Sequence, residues 1–377
     1  MGGHAFLAPS GADQWGPGRC AGSPRLQAAF PGQSGEEALE GNAAHDWAAA
    51  AILGNAPPVG AVHQNGQTIT PAMAEALEDY VADCQALLAR KPDQSGVEVR
   101  VRAHQFIHPL CEGTPDFFAL FIAERRVYLK DLKFGHGYVG AFRNYQLTVY
   151  LIALFETLGL GLPDDSWWIE ATIYQPRNYH PSGPIRHWRP KGSELELLRQ
   201  AFVVAAAEST GPGENLSCTT GDWCRYCTAN HACTTLAEDA SFSRSHSSKA
   251  QIYIQDPDEL GRELKANNRA LRTLKARNEA LDEQAKALVA TGVRVRGWTG
   301  EWKNGRTTWS VAADRVIAWC KALGADVTKT GTLTPTQALK LGLTEDLIGA
   351  ITTTPTTFAL VEVTSDTMAK GLSENGK

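Results

Sequence analysis

Apolar residues change their spacing several times along the chain, and each change predicts a new element. Residues 1–35, rich in Gly, Pro and Ser, hold no sustained pattern and read as loop with short helical turns. The Ala-rich stretch 36–53 is strongly helix-forming and is ended by Gly54 and the Pro57-Pro58 pair. Over 71–90, Met73, Leu77, Tyr80, Val81, Cys84, Leu87 and Leu88 recur at the spacing of one helical face. From Val97 the period falls to two: Val97, Val99 and Val101 alternate with Glu98, Arg100 and Arg102, as in a half-buried strand. Residues 117–122 and 126–132 are β-rich runs separated by the charged turn Glu124-Arg125, which predicts two strands joined by a hairpin. Helical spacing returns over 144–158, and 167–174 is another β-rich run. The order helix, strands, helix, strand predicts an α/β core with a mixed sheet flanked by helices.

The Ser-rich, weakly hydrophobic segment 238–250 is the best boundary, separating a domain over 1–240 from a region over 251–377. Beyond it, Leu264, Leu271, Leu274, Leu281 and Leu288 fall on a three-four spacing whose other core slots are Asn267, Asn278 and Ala285. Such a pattern suits a helical arm packed on the body, or a short coiled coil whose asparagines would fix register at some cost in stability. Fewer than four heptads favour the packed arm. Residues 297–377 mix a Trp-containing β-like piece with short helices, so the C-terminal region reads as a mainly helical α+β appendage.

A length of 377 residues, at roughly 150 per domain, agrees with one large domain and an accessory region. With 43% hydrophobic and 20% charged residues the composition excludes collagen-like and fully disordered classes. No apolar run approaches the roughly 20 residues of a membrane span, and no basic stretch followed by a long apolar core opens the chain. A cytoplasmic protein with no membrane partner is expected, in which eight cysteines are thiols or metal ligands rather than disulfides. The net charge of −5 means that any nucleic-acid contact must come from local basic patches.

Chemistry concentrates first in Gly113-Thr114-Pro115-Asp116 and Asp131-Leu132-Lys133. Residues two apart on a strand share a face, so Asp131 and Lys133 would project together, and the hairpin would bring Asp116 beside them. Two carboxylates with a lysine suit Mg²⁺ or Mn²⁺, the ammonium being placed to orient a water or to stabilise charge on a phosphate. Standing alone, such an Asp-x-Lys is more often a solvated pair. Gln146 and Tyr150 form an i, i+4 pair on the following helix, able to orient the lysine or hold a substrate strand, or simply a surface amide and a core phenol. His45, among small neighbours on the first long helix, could complete a metal site, although a structural role is the commoner outcome.

Cys224, Cys227 and Cys233 form a C-x2-C-x5-C run that gathers three thiolates on one loop and needs a fourth ligand for Zn²⁺ or a four-iron cluster. Cys218 is near in sequence and suits a local zinc site; distant Cys20 suits a cluster clasping both ends of the domain. Cys84, Cys111 and Cys320 are isolated and read as core thiols. Two basic patches could meet phosphates. One is Arg177, Arg186, Arg189 and Lys191, interleaved with Tyr179, His180, His187 and Trp188. The other, Arg262, Lys265, Arg269, Arg272, Lys275 and Arg277, is equally compatible with a solvated helix face.

In the order His45, Asp116, Asp131, Lys133, Gln146, Tyr150, these residues resemble the PD-(D/E)XK nuclease superfamily, in the RecB-like branch that includes the AddB nuclease domain and the CRISPR-associated adaptation nucleases. The resemblance implies a PD-(D/E)XK-type mixed sheet. It also implies a metal held by His45, Asp116 and Asp131, a lysine assisting the attacking water, and a Gln-Tyr helix supporting the site. That branch carries an iron-sulfur cluster ligated by one cysteine before the nuclease core and three after it, which Cys20, Cys224, Cys227 and Cys233 match, favouring 4Fe-4S over Zn²⁺ and Cys20 over Cys218. Residues 10–26, 40–45, 113–150, Gln175-Pro176-Arg177 and 333–338 look more closely like a phage and prophage family of unknown function built on this nuclease. Asp131 stands where many relatives have glutamate, one methylene shorter with the charge kept.

The implied activity is that of a metal-dependent deoxyribonuclease, an exonuclease acting on single-stranded DNA or DNA with free ends, alongside phage recombination proteins in recombination or replication. The cluster would act as a structural clip joining positions about 200 residues apart, worth on the order of 5 kcal/mol if it behaved like a disulfide. The alternative is a catalytically weak DNA-binding or scaffolding protein that retains the fold.

Overall fold

The computed structural model describes residues 5–30, 36–178, 180–212, 218–247, 256–304, 308–309, 318–319, 321–322, 352–353 and 356–362. Tyr179, Cys320 and the run 333–338 lie outside the described residues. The chain forms two compact units: Met1–Ile69 with Ala76–Leu274, and Thr70–Glu75 with Lys275–Lys377.

Short helices α1 (Ala12–Trp15) and α2 (Ser23–Ala29) precede two long ones, α3 (Glu36–Ile52) and α4 (Pro71–Ala89). Gly54, at φ 77°, stops α3 as expected: the left-handed turn lets the amides of Gly54 and Asn55 return to the carbonyls of Ala51 and Ala50. Next come β1 (Gln94–Val97), β2 (Val101–Arg102), β3 (Glu112–Gly113), β4 (Phe117–Phe121) and β5 (Arg126–Leu132). The Val97-Val99-Val101 alternation therefore does not make one strand. Glu98 takes φ 52°, which breaks the run and leaves Val99 exposed. The amide of Glu98 donates to Asp116 O, while Val101 pairs with Gly113 in a separate small ladder.

β4 and β5 form the expected hairpin, with Arg125 at φ 52° in its turn. Helix α5 (Tyr145–Thr157) follows, capped by Asn144, whose side chain accepts from Leu147 N. Leu147 through Phe155 are all buried, so α5 is enclosed on every side and central to the unit. β6 (Trp168–Tyr174) returns parallel to β5, and β7 (Ile185–Trp188) and α6 (Gly192–Thr210) complete the layer. The sheet has the order β1-β4-β5-β6-β7, with only the β5–β6 pair parallel. A mixed sheet wrapped by helices, the α/β class expected, is thus present. Its core joins Phe118, Leu120, Val127 and Leu129 to α5 and to Ile173 of β6. Lys130 is buried in the sheet because Asp83 of α4 pairs with it, and the Tyr174 hydroxyl donates to the same carboxylate.

Helix α7 (Thr234–Ser247) covers much of the Ser-rich segment, and α8 (Pro257–Ala290) is a single helix. The leucine stripe of α8 is not a packed face. Leu264, Leu271, Leu281 and Leu288 are exposed, and the buried positions are Thr273, Ala276 and Ala280. In the second unit, β8 (Trp298–Asn304) pairs antiparallel with β11 (Thr356–Glu362), and β9 (Thr308–Trp309) with β10 (Thr352–Thr353). Among the described residues, no helix is long and apolar enough to cross a membrane.

Candidate active site

The loop that delivers Asp116 is held by close packing. A Cβ on Gly113 would lie 2.6 Å from Pro9 Cδ and 3.2 Å from Tyr150 Cε1, so only glycine admits the loop at this depth. Tyr150, 5% exposed, donates its hydroxyl to Thr114 O at 2.9 Å. Thus Tyr150 is at once a core phenol and a support for the acidic loop. Asp116 then sits just before β4, its Oδ2 accepting from Leu132 N and its Oδ1 3.1 Å from His45 Nδ1 of α3.

Asp131 and Lys133 share a face because the β5–β6 ladder continues one residue past β5: Lys133 N donates to Tyr174 O at 2.7 Å. Lys133 Nζ lies 2.7 Å from Asp131 Oδ2 and donates to Gln146 Oε1 at 2.9 Å. Gln146 Nε2 donates in turn to Asp131 Oδ1 at 2.9 Å. An amide on the first turn of α5 therefore fixes both members of the Asp131–Lys133 pair. Asp131 Oδ2, though ion-paired, has no hydrogen-bond donor of good geometry and is buried.

Charge follows this packing. Burial opposes ionisation of His45, but the Asp116 carboxylate raises it to about 9. Burial likewise works against the Asp116 carboxylate, yet His45, Lys133 and the Leu132 amide hold it below the usual range. Burial lifts Asp131 to about 6 against the pull of Lys133. Lys133 is desolvated too, but Asp131 and Asp116 keep its ammonium above the ordinary value.

Glu98 is the residue that sequence reasoning missed. The left-handed turn that ends β1 brings its carboxylate to the site, and desolvation together with Asp116 pushes it up to about 7. One ligand atom each from His45, Glu98 and Asp116 lie within 4.8 Å of one another. These three line a cavity with Ala49, Tyr80 and Leu132, and the buried Tyr80 hydroxyl meets the Cys84 thiol. One imidazole and two carboxylates form a donor set that Mg²⁺ and Mn²⁺ take. The residues therefore fit a hard divalent cation. Asp131 lies outside the 4.8 Å triad and is held by Lys133 and Gln146. The signal for Glu98 was its place in a strand pattern that the chain then breaks.

The cysteines also converge. Cys20 Sγ accepts from Thr219 N, Cys224 Sγ from Gly221 N and Cys233 Sγ from Leu236 N, each at 3.4 Å, and Cys227 is bonded by the Ala229 amide. Amide donors to sulfur stabilise thiolates and tune bound clusters. Cys218 bonds instead to the thiols of Cys20 and Cys233. That contact, helped by the Thr219 and Gly22 amides and opposed by burial, lowers Cys20 to about 6. The N-terminal segment is fastened to the cysteine loop as well, with Gln14 Nε2 donating to Tyr226 O and Thr228 N to Gln27 Oε1. Cys20, Cys224, Cys227 and Cys233 lie close enough to shift one another's ionisation, with Cys218 as a fifth thiol beside them; among the described residues, though, the group whose ligand atoms gather within 4.8 Å is His45, Glu98 and Asp116. Cys84 and Cys111 are buried core thiols, as expected, and burial raises both.

The first basic patch is largely consumed by structure. Arg186, 7% exposed, donates to Gln175 Oε1, Val139 O and Gly183 O; Arg189 pairs with Glu170, and Arg177 with Glu40. Gln175 is the hub: its amide also donates to Gly135 O and Gly137 O and accepts from Val139 N, which sets the loop directly after Lys133. In the second patch, Arg269 and Arg272 pair with Asp239 and Asp222.

A family model for proteins of unknown function, DUF2800, matches residues 4–366. No curated protein matches the chain.

Proposed function

We propose that the chain, which belongs to the DUF2800 family, is a metal-dependent DNA nuclease of the RecB-like branch of the PD-(D/E)XK superfamily. The observation that carries this reading is the convergence of His45, Glu98 and Asp116 beside the closed Asp131–Lys133–Gln146 triangle. A divalent cation held by the first three, with Asp131 adjacent, supplies Lewis-acid polarisation of a phosphate and lowers the pKa of water. Lys133 keeps its charge under two carboxylates and faces the same region, so it can orient the attacking water and stabilise negative charge on the phosphate. Gln146 acts through Lys133 by fixing its ammonium, and Tyr150 acts through Asp116 by fixing the loop.

DNA with single-stranded or free ends is the proposed substrate, with phage recombination proteins as partners. Cys20, Cys224, Cys227 and Cys233 are proposed to hold a 4Fe-4S cluster that clips the N-terminal segment to the end of the nuclease unit. The test is cleavage of end-labelled single- and double-stranded DNA with Mn²⁺ by the full chain and by a Lys133→Ala variant checked for a native melting profile. Metal-dependent cleavage falling about 10²- to 10³-fold in the variant, the scale of losing one charge-stabilising donor, supports the reading. Wild-type protein that binds DNA and Mn²⁺ without cutting would establish the scaffolding alternative instead.

A further inference from the structure

Helix α8 is fastened to the rest of its chain by the side opposite its leucines. Arg269 Nη2 and Thr273 Oγ1 both donate to Asp239 Oδ2 of α7 at 3.4 Å, and Arg272 Nε lies 3.4 Å from Asp222 Oδ1. Ala276 and Ala280 are buried on that same side of the helix. Leu264 and Leu271, 55% and 65% exposed, point the other way, together with the exposed Leu260, Leu281 and Leu288. Leucines scattered singly over a surface need no explanation, but a continuous row of them along one helix marks an interaction surface.

The spacing selects the partner. Leu260 occupies the slot before Leu264, so the three-four alternation runs unbroken to Leu288 for about four heptads, the length at which a coiled-coil pattern becomes persuasive. Leu264, Leu271 and Asn278 take a positions of the heptad, and Leu260, Leu274, Leu281 and Leu288 take d positions, with Asn267 at the remaining d. Asparagine at a favours two strands and fixes their register. In a parallel, unstaggered pair each asparagine meets its own counterpart, amide against amide, whereas a slip of one heptad sets both against apolar core residues. The flanking positions agree. In that arrangement a g residue faces the e residue five further along the other strand, so Arg277 faces Asp282 of the second copy twice over. Glu263 likewise faces Asn268 and Ala270 faces Lys275, so no like charges are opposed. Asp282 also holds Lys286 of its own helix at 2.8 Å, and its carboxylate has a second oxygen for the guanidinium. An antiparallel pair sets g against g and e against e, and the match of Arg277 with Asp282 is lost. We propose that α8 is a dimerisation element, through which two copies of the chain join in a parallel, in-register, two-stranded coiled coil over residues 260–288. The proposal is independent of the nuclease reading.

The test is sedimentation equilibrium of the full chain over a range of concentrations, with circular dichroism to show that each variant is folded. The wild type is expected to have twice the 40.7 kDa mass of one chain. Leu264→Glu and Leu271→Glu each remove a leucine from the seam twice per dimer and should raise the dissociation constant about 10²- to 10⁴-fold. Both leucines are exposed in the single chain, so the dissociated variants should keep the wild-type helical signal. Arg277→Glu sets like charges against Asp282 of the second copy and should weaken the dimer, and adding Asp282→Arg to it should restore the wild-type constant. A wild type that stays monomeric or forms trimers overturns the proposal. So does a dimer that both leucine variants leave intact, because its interface then lies elsewhere. A dimer that the leucine variants dissolve but the charge exchange does not restore overturns the parallel arrangement.

Discussion

Glu40 and Arg177 stand 137 residues apart in sequence, yet Arg177 Nη1 donates to Glu40 Oε2 at 2.6 Å. Glu40 lies five residues before His45 on α3, and Arg177 also covers the Phe134 ring at 4.8 Å, next to Lys133. The pair therefore ties the helix that carries the imidazole to the segment that carries the ammonium. Because both groups are partly exposed, a double-mutant cycle with Glu40→Ala and Arg177→Ala should give a coupling of only about 0.5–1 kcal/mol in denaturant unfolding. The larger effect should be on Mn²⁺ affinity, which either single substitution weakens by loosening α3. Unchanged affinity in both would show that His45 is placed by core packing alone.

Stability should depend on pH in a defined direction. His45 is raised from 6.5 to about 9, so its stabilisation is complete below pH 6.5 and is lost as pH rises toward and through 9. Asp131 and Glu98, raised to about 6 and about 7, also bind protons more tightly in the folded state, so stability falls as pH climbs through those values. Asp116 acts oppositely, but only in acid near and below its ordinary carboxylate range. Cys20, lowered from 9.0 to about 6, opposes this trend between pH 6 and 9, so it is in a Cys20→Ser background that the metal-free protein should melt at progressively lower temperature from pH 5 to 9. A cation must displace the same protons, so the thermal shift caused by Mn²⁺ should grow over that interval. A melting temperature that rises from pH 5 to 9 in that background without metal would contradict the protonation pattern.

Gly113→Ala places a methyl 2.6 Å from Pro9 Cδ. Overpacking of this kind costs about 1–3 kcal/mol, measurable by denaturant unfolding. Since the displaced loop runs directly into Asp116, Mn²⁺ binding should weaken too, whereas Gly135→Ala, where a Cβ meets nothing within 4 Å, should leave both nearly unchanged.

The amide pattern separates Cys20 from Cys218. Thr219 N aims at Cys20 Sγ at 3.4 Å, whereas Cys218 is bonded only by other thiols in the contacts that set its acidity. Anaerobically purified Cys20→Ala should lose iron, sulfide and visible absorption, and Cys218→Ala should keep them. A colourless wild type with stoichiometric zinc that survives Cys20→Ala would mean a local zinc site instead.

Several elements were legible because local chemistry and tertiary need coincide. The run 126–132 is a strand to the residue, and Asn144 caps the helix that the spacing placed after it. Asp116, Asp131, Lys133 and Gln146 could be placed together because a hairpin and a two-residue period leave little choice of face. Glu98 was hidden by a pattern it interrupts: alternation scores Val97 and Val99 as one face, while the backbone spends a left-handed residue to carry a carboxylate to His45 and Asp116. Arg186 was read as surface charge because nothing local reveals that Gln175 and two carbonyls await it inside the fold. Strand β7 was missed for the same reason, its pairing with β6 being visible only in three dimensions.

The amide of Thr219 reaches Cys20 across 199 residues of sequence. During synthesis, at roughly 5–20 residues per second, residue 20 therefore waits about 10–40 s for its partner to leave the ribosome. Leu7, Pro9 and Pro17 can meet Leu110, Gly113 and Tyr145 well before that, but the sulfur of Cys20 goes without its amide donor until residue 219 is made. Completion of the contacts around Cys20 is thus a late event in the life of each new chain, and it reports that nearly the whole unit has been made.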